Sequence, residues 1–138
     1  MNRILIDTMH LGGLFKDDTY LDLAGRISDG DIEAICSVVS LLELTKRLGM
    51  IDEKRMRKTR QELLSSRLIF INVTRTIAMQ AGELRLKYDI PTADSMIAAT
   101  GLVENTIYVL TGDERHFGPI KDLIKKIDLK TAIELSRR

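Results

Sequence analysis

The sequence predicts an α/β fold of three layers, α/β/α, with helices covering both faces of a central, mostly parallel sheet of about five strands. Three observations lead there. Short apolar runs alternate with longer segments of helical spacing from one end of the chain to the other, the pattern of strands joined by crossover helices. No repeat, linker or low-complexity segment interrupts that alternation. The length of 138 residues suits one domain, residues 1–138, with a real core and no room for a second.

The elements follow in order. Residues 3–6, "RILI", form a short apolar run ended by Asp7 and followed by the Gly12-Gly13 pair, and read as the first strand. Residues 18–28 read as a helix with Leu21, Leu23, Ala24 and Ile27 on its inner side. "EAICSVV", from Glu33 to Val39, reads as the second strand, and Ser40 is placed to cap the helix that carries Leu41, Leu42 and Leu44 and ends at Gly49. Asp52 opens another helix through Met56, Leu63 and Leu64. "LIFINV", residues 68–73, is the third strand, after which Ile77, Ala81, Leu84 and Tyr88 recur at helical spacing. Ile90-Pro91 breaks that helix, and Thr92 is an N-cap for one through about Val103. Its residues Met96, Ile97, Ala98, Ala99 and Leu102 leave it apolar on most sides, as a buried element is. "TIYVL", residues 106–110, is the fourth strand. A helical piece near Pro119 to Lys126, a small strand at Ile127 to Leu129 and a helix from about Thr131 complete the chain, with Thr131-x-x-Glu134 as a capping box.

Composition narrows the function. Hydrophobic residues make up 44% and charged residues 30%, and no apolar run approaches the roughly 20 residues of a membrane span. The opening "MNRILIDTMH" turns acidic at Asp7 before a signal-peptide core could form, so a cytoplasmic location without membrane contact is expected. Cys36 is the single cysteine, which excludes a disulfide or a thiolate zinc site within one chain and reads as a buried structural thiol. The formal net charge of +1 announces no nucleic-acid partner by itself.

In a doubly wound sheet the ligand site lies outside the carboxyl ends of the strands. Four acids stand at such places: Asp7 after strand one, Glu43 in the first turn after strand two, Asp94 in the first turn of the buried helix and Asp113 after strand four. Each has an ordinary explanation. Asp7 suits a cap, Glu43 the third helical position of a Ser40-x-x-Glu43 capping box, Asp94 a helix dipole and Asp113 a Thr-Gly-Asp turn. Together at one edge, four carboxylates repel one another and raise one another's pKa values unless a cation sits among them. All-oxygen donors favour Mg²⁺ or Mn²⁺, and the natural substrate of such a centre is a phosphoester.

These residues also resemble a known family, the PIN-domain nucleases, and within it the VapC-type toxins of toxin-antitoxin pairs. "ILIDTMHL" resembles the family's opening strand with its Asp7-Thr8, and "VVSLLELTKRL" its second block, with Glu43. "AGELRLKYDIPTADSMIAATGL" resembles its most recognisable segment, leading into Asp94, and "VLTGDERHF" its fourth block, with Asp113. Met9-His10 and the Gly12-Gly13 turn depart from the pattern. The resemblance implies a PIN-like sheet between helices and a Mg²⁺- or Mn²⁺-dependent endoribonuclease. In it Asp7, Glu43, Asp94 and Asp113 are both the metal ligands and the catalytic residues. It further implies an RNA substrate, a small antitoxin partner and a homodimer.

Other residues carry weaker signals. Thr111 and Ser95 stand beside two of the acids, where each either orients a carboxylate or a metal-bound water or serves as a strand-end or helix-cap hydrogen bond. His116 and His10 read as surface or packing residues rather than proton shuttles. Lys46, Arg47, Lys54, Arg55, Arg57, Lys58 and Arg60 form the densest basic patch, which fits an RNA backbone, a solvated face or a face that meets an antitoxin. Two other functions compete: a nuclease of RNA maturation or of DNA that has no antitoxin, and a non-catalytic signalling or scaffold domain with an acidic pocket. A receiver-like module expects paired acids after strand one, and Asp7 is alone there.

Overall fold

Successive residues of a strand face opposite sides of its sheet, and here both sides are apolar. A computed structural model describes residues 2–136. It assembles β1 (Arg3–Ile6), β2 (Glu33–Ser37), β3 (Ile69–Ile71), β4 (Tyr108–Leu110) and β5 (Lys125–Ile127) into one parallel sheet in the order β3-β2-β1-β4-β5. Ile4, Ile6, Ala34, Cys36 and Leu110 enter one buried cluster, while Leu5, Ile35 and Val109 enter the other. Leu5 pairs in register with both Ile35 and Val109, so three apolar side chains stand abreast on one face.

Helices close both faces, as expected for an α/β protein of three layers. The first cluster takes Leu23 and Ile27 of α2 (Leu21–Asp29), Leu44 and Leu48 of α3 (Val38–Gly49), Met56 and Leu63 of α4 (Glu53–Ser65), and Ala132 and Leu135 of α8 (Leu129–Leu135). The second takes Ile77, Ala81 and Leu84 of α5 (Arg75–Lys87) with Ile97 and Ala98 of α6 (Thr92–Val103). Short helices α1 (Thr8–Leu11) and α7 (Glu114–Phe117) follow β1 and β4. α6 lies so close to the sheet that a Cβ on Gly101 would fall 2.8 Å from Ile124 Cδ1 and 3.0 Å from Leu5 Cδ2. Only glycine permits that approach.

Several boundaries differ from the sequence reading. β2 stops at Ser37, whose hydroxyl accepts from the Val39 N–H at 3.1 Å, so α3 begins at Val38 and Ser40 lies buried inside it. The Ser40-x-x-Glu43 capping box therefore does not form, because Ser37 offers its oxygen first and the β-branched Val38 and Val39 join the helix despite their strand preference. Asp128, not Thr131, caps α8, accepting from the Thr131 N–H at 2.8 Å. That moves the last strand back to Lys125–Ile127, where Lys125 and Lys126 pair with Tyr108 and Val109. Helical structure after β4 starts at Glu114, with a 3-10 turn at Gly118–Ile120, and not at Pro119. Pro91 holds the N-cap position of α6, with Thr92 its first residue. Leu21 and Leu64 are exposed rather than inward. Cys36 is fully buried and burial pushes its thiol pKa up, as a structural thiol requires. No described helix is long and apolar enough to cross a membrane.

Candidate metal centre

The sheet order reverses at β1: the chain runs outward through β2 and β3 on one side and returns to β4 and β5 on the other. A crevice opens at the carboxyl ends of the strands at such a switch. Asp7 stands in it, its N–H donating to Leu110 O at 3.0 Å so that β1 and β4 stay joined one residue past the strands.

Local capping aims two of the acids, Asp7 and Asp113, while Glu43 lies beyond the first turn of α3, not in it as the sequence suggested. Asp7 is the N-cap of α1, and its Oδ1 accepts from the Thr8 N–H at 2.8 Å. Its Oδ2 accepts from Thr111 Oγ1 at 2.8 Å, and Thr111 Oγ1 accepts in turn from the Asp113 N–H at 3.0 Å. Thr8 Oγ1 donates to Glu43 Oε1 at 2.6 Å. Because a hydroxyl has one hydrogen, the buried Ser40, 2.8 Å away, is the donor in its contact with Thr8. Asp113 caps α7, and Asp94 occupies the first turn of α6. His116 closes the chain, with Nδ1 2.7 Å from Asp113 Oδ2 and 2.9 Å from Asp94 Oδ2. One hydrogen-bonded path thus runs Glu43, Thr8, Asp7, Thr111, Asp113, His116, and Asp94 Oδ2 stands 2.9 Å from the same His116 Nδ1.

The charges are poorly balanced. Among the described residues no lysine or arginine forms an ion pair with any of these four acids. Burial raises the Asp94 carboxyl to about 6, with the nearby His116 pulling it down and Asp7, Asp113 and Glu43 pushing it up. Burial also raises Asp7, opposed by the hydrogen bonds from Thr111 and Thr8 and reinforced by Glu43 and Asp113. A hard divalent cation fits the chemistry of this donor set: the donors are mostly carboxylate oxygens, and the missing positive charge is what such an ion brings. Among the described residues, Asp94, Asp113 and His116 form a group whose candidate ligand atoms all lie within 4.8 Å of one another, and Asp7 and Glu43 stand outside it.

The family model described as PIN domain matches residues 4–121. The chain belongs to the PIN-domain family. That match takes in Asp7, Glu43, Asp94 and Asp113. Three solved structures share the PIN-domain fold. VapBC2 from Rickettsia felis, bound to a promoter DNA fragment, has a TM-score of 0.74 at 20% identity, covering 91% of this chain and 98% of that chain. DNA-bound VapBC from Salmonella typhimurium has a TM-score of 0.73 at 19% identity, covering 94% and 99%. A toxin-antitoxin complex from Klebsiella pneumoniae has a TM-score of 0.69 at 21% identity, covering 91% and 97%. No curated protein matches the sequence.

Within this PIN domain the supporting residues divide. Thr111 bonds two of the four acidic residues, whereas the Ser95 hydroxyl donates to Thr92 O at 2.6 Å inside α6. His10 Nδ1 lies 2.8 Å from the Tyr20 hydroxyl and bonds none of the four acids. His116, a partly exposed side chain, stands between two of the acids. Its signal was present in the sequence: three residues beyond an N-cap aspartate, a side chain on a helix returns to its cap. Thr8 and Ser40 were missed because the helix starts at Thr8 and Val38 were not foreseen.

Proposed function

We propose that this PIN-domain chain, residues 1–138 as one nuclease domain, is a divalent-metal-dependent endoribonuclease. In this reading it hydrolyses RNA phosphodiester bonds in the cytoplasm as the toxin of a VapBC-type pair. The observation that carries the reading is the hydrogen-bonded path joining Glu43, Asp7 and Asp113, with Asp94 beside its last member His116, at the sheet's switch point without a lysine or arginine to balance the acids. Those four residues would hold Mg²⁺ or Mn²⁺, which supplies Lewis acidity toward a phosphate and lowers the pKa of an attacking water. The chain's own groups do the positioning. Thr8 and Thr111 fix both oxygens of Asp7, Thr8 also fixes Glu43, and α7 fixes Asp113. Arg47 of α3 and Arg55 of α4 line a cleft with Lys16 and Met9, whose Sδ accepts from the Gly112 N–H at 3.2 Å. A phosphodiester backbone would follow that cleft.

The proteins of similar fold are solved as toxin-antitoxin complexes, and a small antitoxin is the partner proposed here, with a homodimer as the working assembly. The groove between α3 and α4, with exposed Leu42 and Leu64 and rimmed by Lys46, Arg57 and Arg60, suits an amphipathic acidic segment of that partner.

The test is to incubate purified protein with labelled RNA and, in parallel, DNA, in Mg²⁺, in Mn²⁺ and in chelator. RNA cleavage is expected with either metal and absent in chelator and in Asp94→Asn. Equal cleavage by Asp94→Asn would refute the site, and preferential cleavage of DNA would refute the substrate.

A further inference from the structure

His116 is not one of the four acids, yet it occupies the narrowest point between two of them. A single Nδ1 hydrogen faces both Asp113 Oδ2 at 2.7 Å and Asp94 Oδ2 at 2.9 Å, so the ring stands in the space that a cation shared by those carboxylates would take. The ring cannot wander far. Its own backbone N–H donates to Asp113 Oδ1 at 3.1 Å, and the next residue, Phe117, is anchored in the core at 1% exposure. With its hydrogen on Nε2 instead, the imidazole turns the Nδ1 lone pair toward the same space.

We propose that His116 is itself a ligand of the ion in this centre, placing one nitrogen beside the oxygens of Asp94 and Asp113, and that it biases the site toward Mn²⁺ over Mg²⁺. The proposal rests on the nuclease reading only in assuming that the centre binds a divalent ion. Imidazole is a good donor to transition ions, whereas Mg²⁺ takes oxygen ligands and retains water. The three candidate ligand atoms already lie within 4.8 Å of one another.

The experiment uses metal-stripped full-length protein and Mn²⁺ as the probe, with affinity read from free Mn²⁺ in electron paramagnetic resonance and ligation from electron spin-echo modulation. Bound Mn²⁺ is expected to show nitrogen-14 coupling that disappears in His116→Gln. In that variant Mn²⁺ affinity should fall about tenfold or more while Mg²⁺ affinity, read by competition, changes less than about threefold. Bound Mn²⁺ without nitrogen coupling, or equal losses for both ions, would overturn the proposal, and the coupling in the unmodified protein decides even where the variant folds poorly. If Mn²⁺ binds and is lost in Asp94→Asn but shows no nitrogen coupling, the metal centre stands and His116 is only a neighbour. Absence of any Asp94-dependent Mn²⁺ binding overturns both.

Discussion

The Thr111 hydroxyl donates to Asp7 Oδ2 at 2.8 Å and accepts from the Asp113 N–H at 3.0 Å, so one side chain at the end of β4 holds two of the four acids. Asp7 is 6% exposed and little water can replace that donor. Thr111→Val should cost about 1–3 kcal/mol in urea denaturation, the penalty of leaving a buried acceptor unmet. Because Thr111 opposes the burial that raises Asp7, the Asp7 carboxyl should also titrate higher in an NMR titration. Thr111→Ser should restore both values, and a Thr111→Val protein of unchanged stability would contradict the assignment.

Asp94 gives a pH dependence of definite sign. Its folded pKa, about 6, is above the ordinary 3.8, so the folded chain binds the proton more tightly than the unfolded one. The stabilisation is present below pH 3.8 and is lost as pH rises through about 6. His10, whose pKa burial lowers, acts the opposite way below 6.5, so the measurement to make is the difference between the unmodified protein and Asp94→Asn. Without metal, Asp94→Asn should be more stable by about 1–3 kcal/mol at pH 7.5 and equal near pH 4. Millimolar Mn²⁺ should stabilise the unmodified protein and not the variant.

Gly101→Ala tests how closely α6 sits on β1. Alanine favours a helix by about 1 kcal/mol, but the new methyl meets Ile124 Cδ1 at 2.8 Å and Leu5 Cδ2 at 3.0 Å, both in side chains buried in the core. Crowding of that kind costs about 1–3 kcal/mol, so a net loss of about 1 kcal/mol is expected in thermal or urea unfolding. A stabilised variant would show that the helix can lift without cost.

Arg47 and Arg55 line the cleft beside Met9. If RNA phosphates lie there, Arg47→Ala with Arg55→Ala should weaken binding of non-cleavable RNA and flatten the plot of log affinity against log salt by about 1.4, two contacts at about 0.7 each. Folding and Mn²⁺ affinity should not change. An unaltered salt slope would place the RNA elsewhere.

Periodicity and alternation made the strand and helix order legible, because Leu5, Ile35 and Val109 must be apolar to be buried on one face. Positions hidden from the sequence were those where two oxygens compete for one helix end. Ser37 and Ser40 both suit a cap, as do Asp128 and Thr131, and only the register of the adjoining strand decides between them. Placing Asp7, Glu43, Asp94 and Asp113 at strand ends required only the fold, yet the contacts around them run through Thr8, Thr111 and His116, and the orientation of Thr8 and His116 depends on helix starts. His116 stayed obscure because a histidine three residues past a turn aspartate is equally at home on a surface.

The sheet order has a consequence for how the chain is made. β1 lies between β2 and β4, and Asp7 finds its partner Thr111 at a separation of 104 residues. During synthesis the first strand leaves the ribosome early and waits, paired on one side only, until β4 has followed it out. The acidic cluster is therefore assembled almost last, and an interrupted translation product that ends before Thr111 carries Asp7, Glu43 and Asp94 without Asp113, His116 or the hydroxyl that joins them. If the proposed nuclease reading holds, such fragments are expected to show no metal-dependent cleavage.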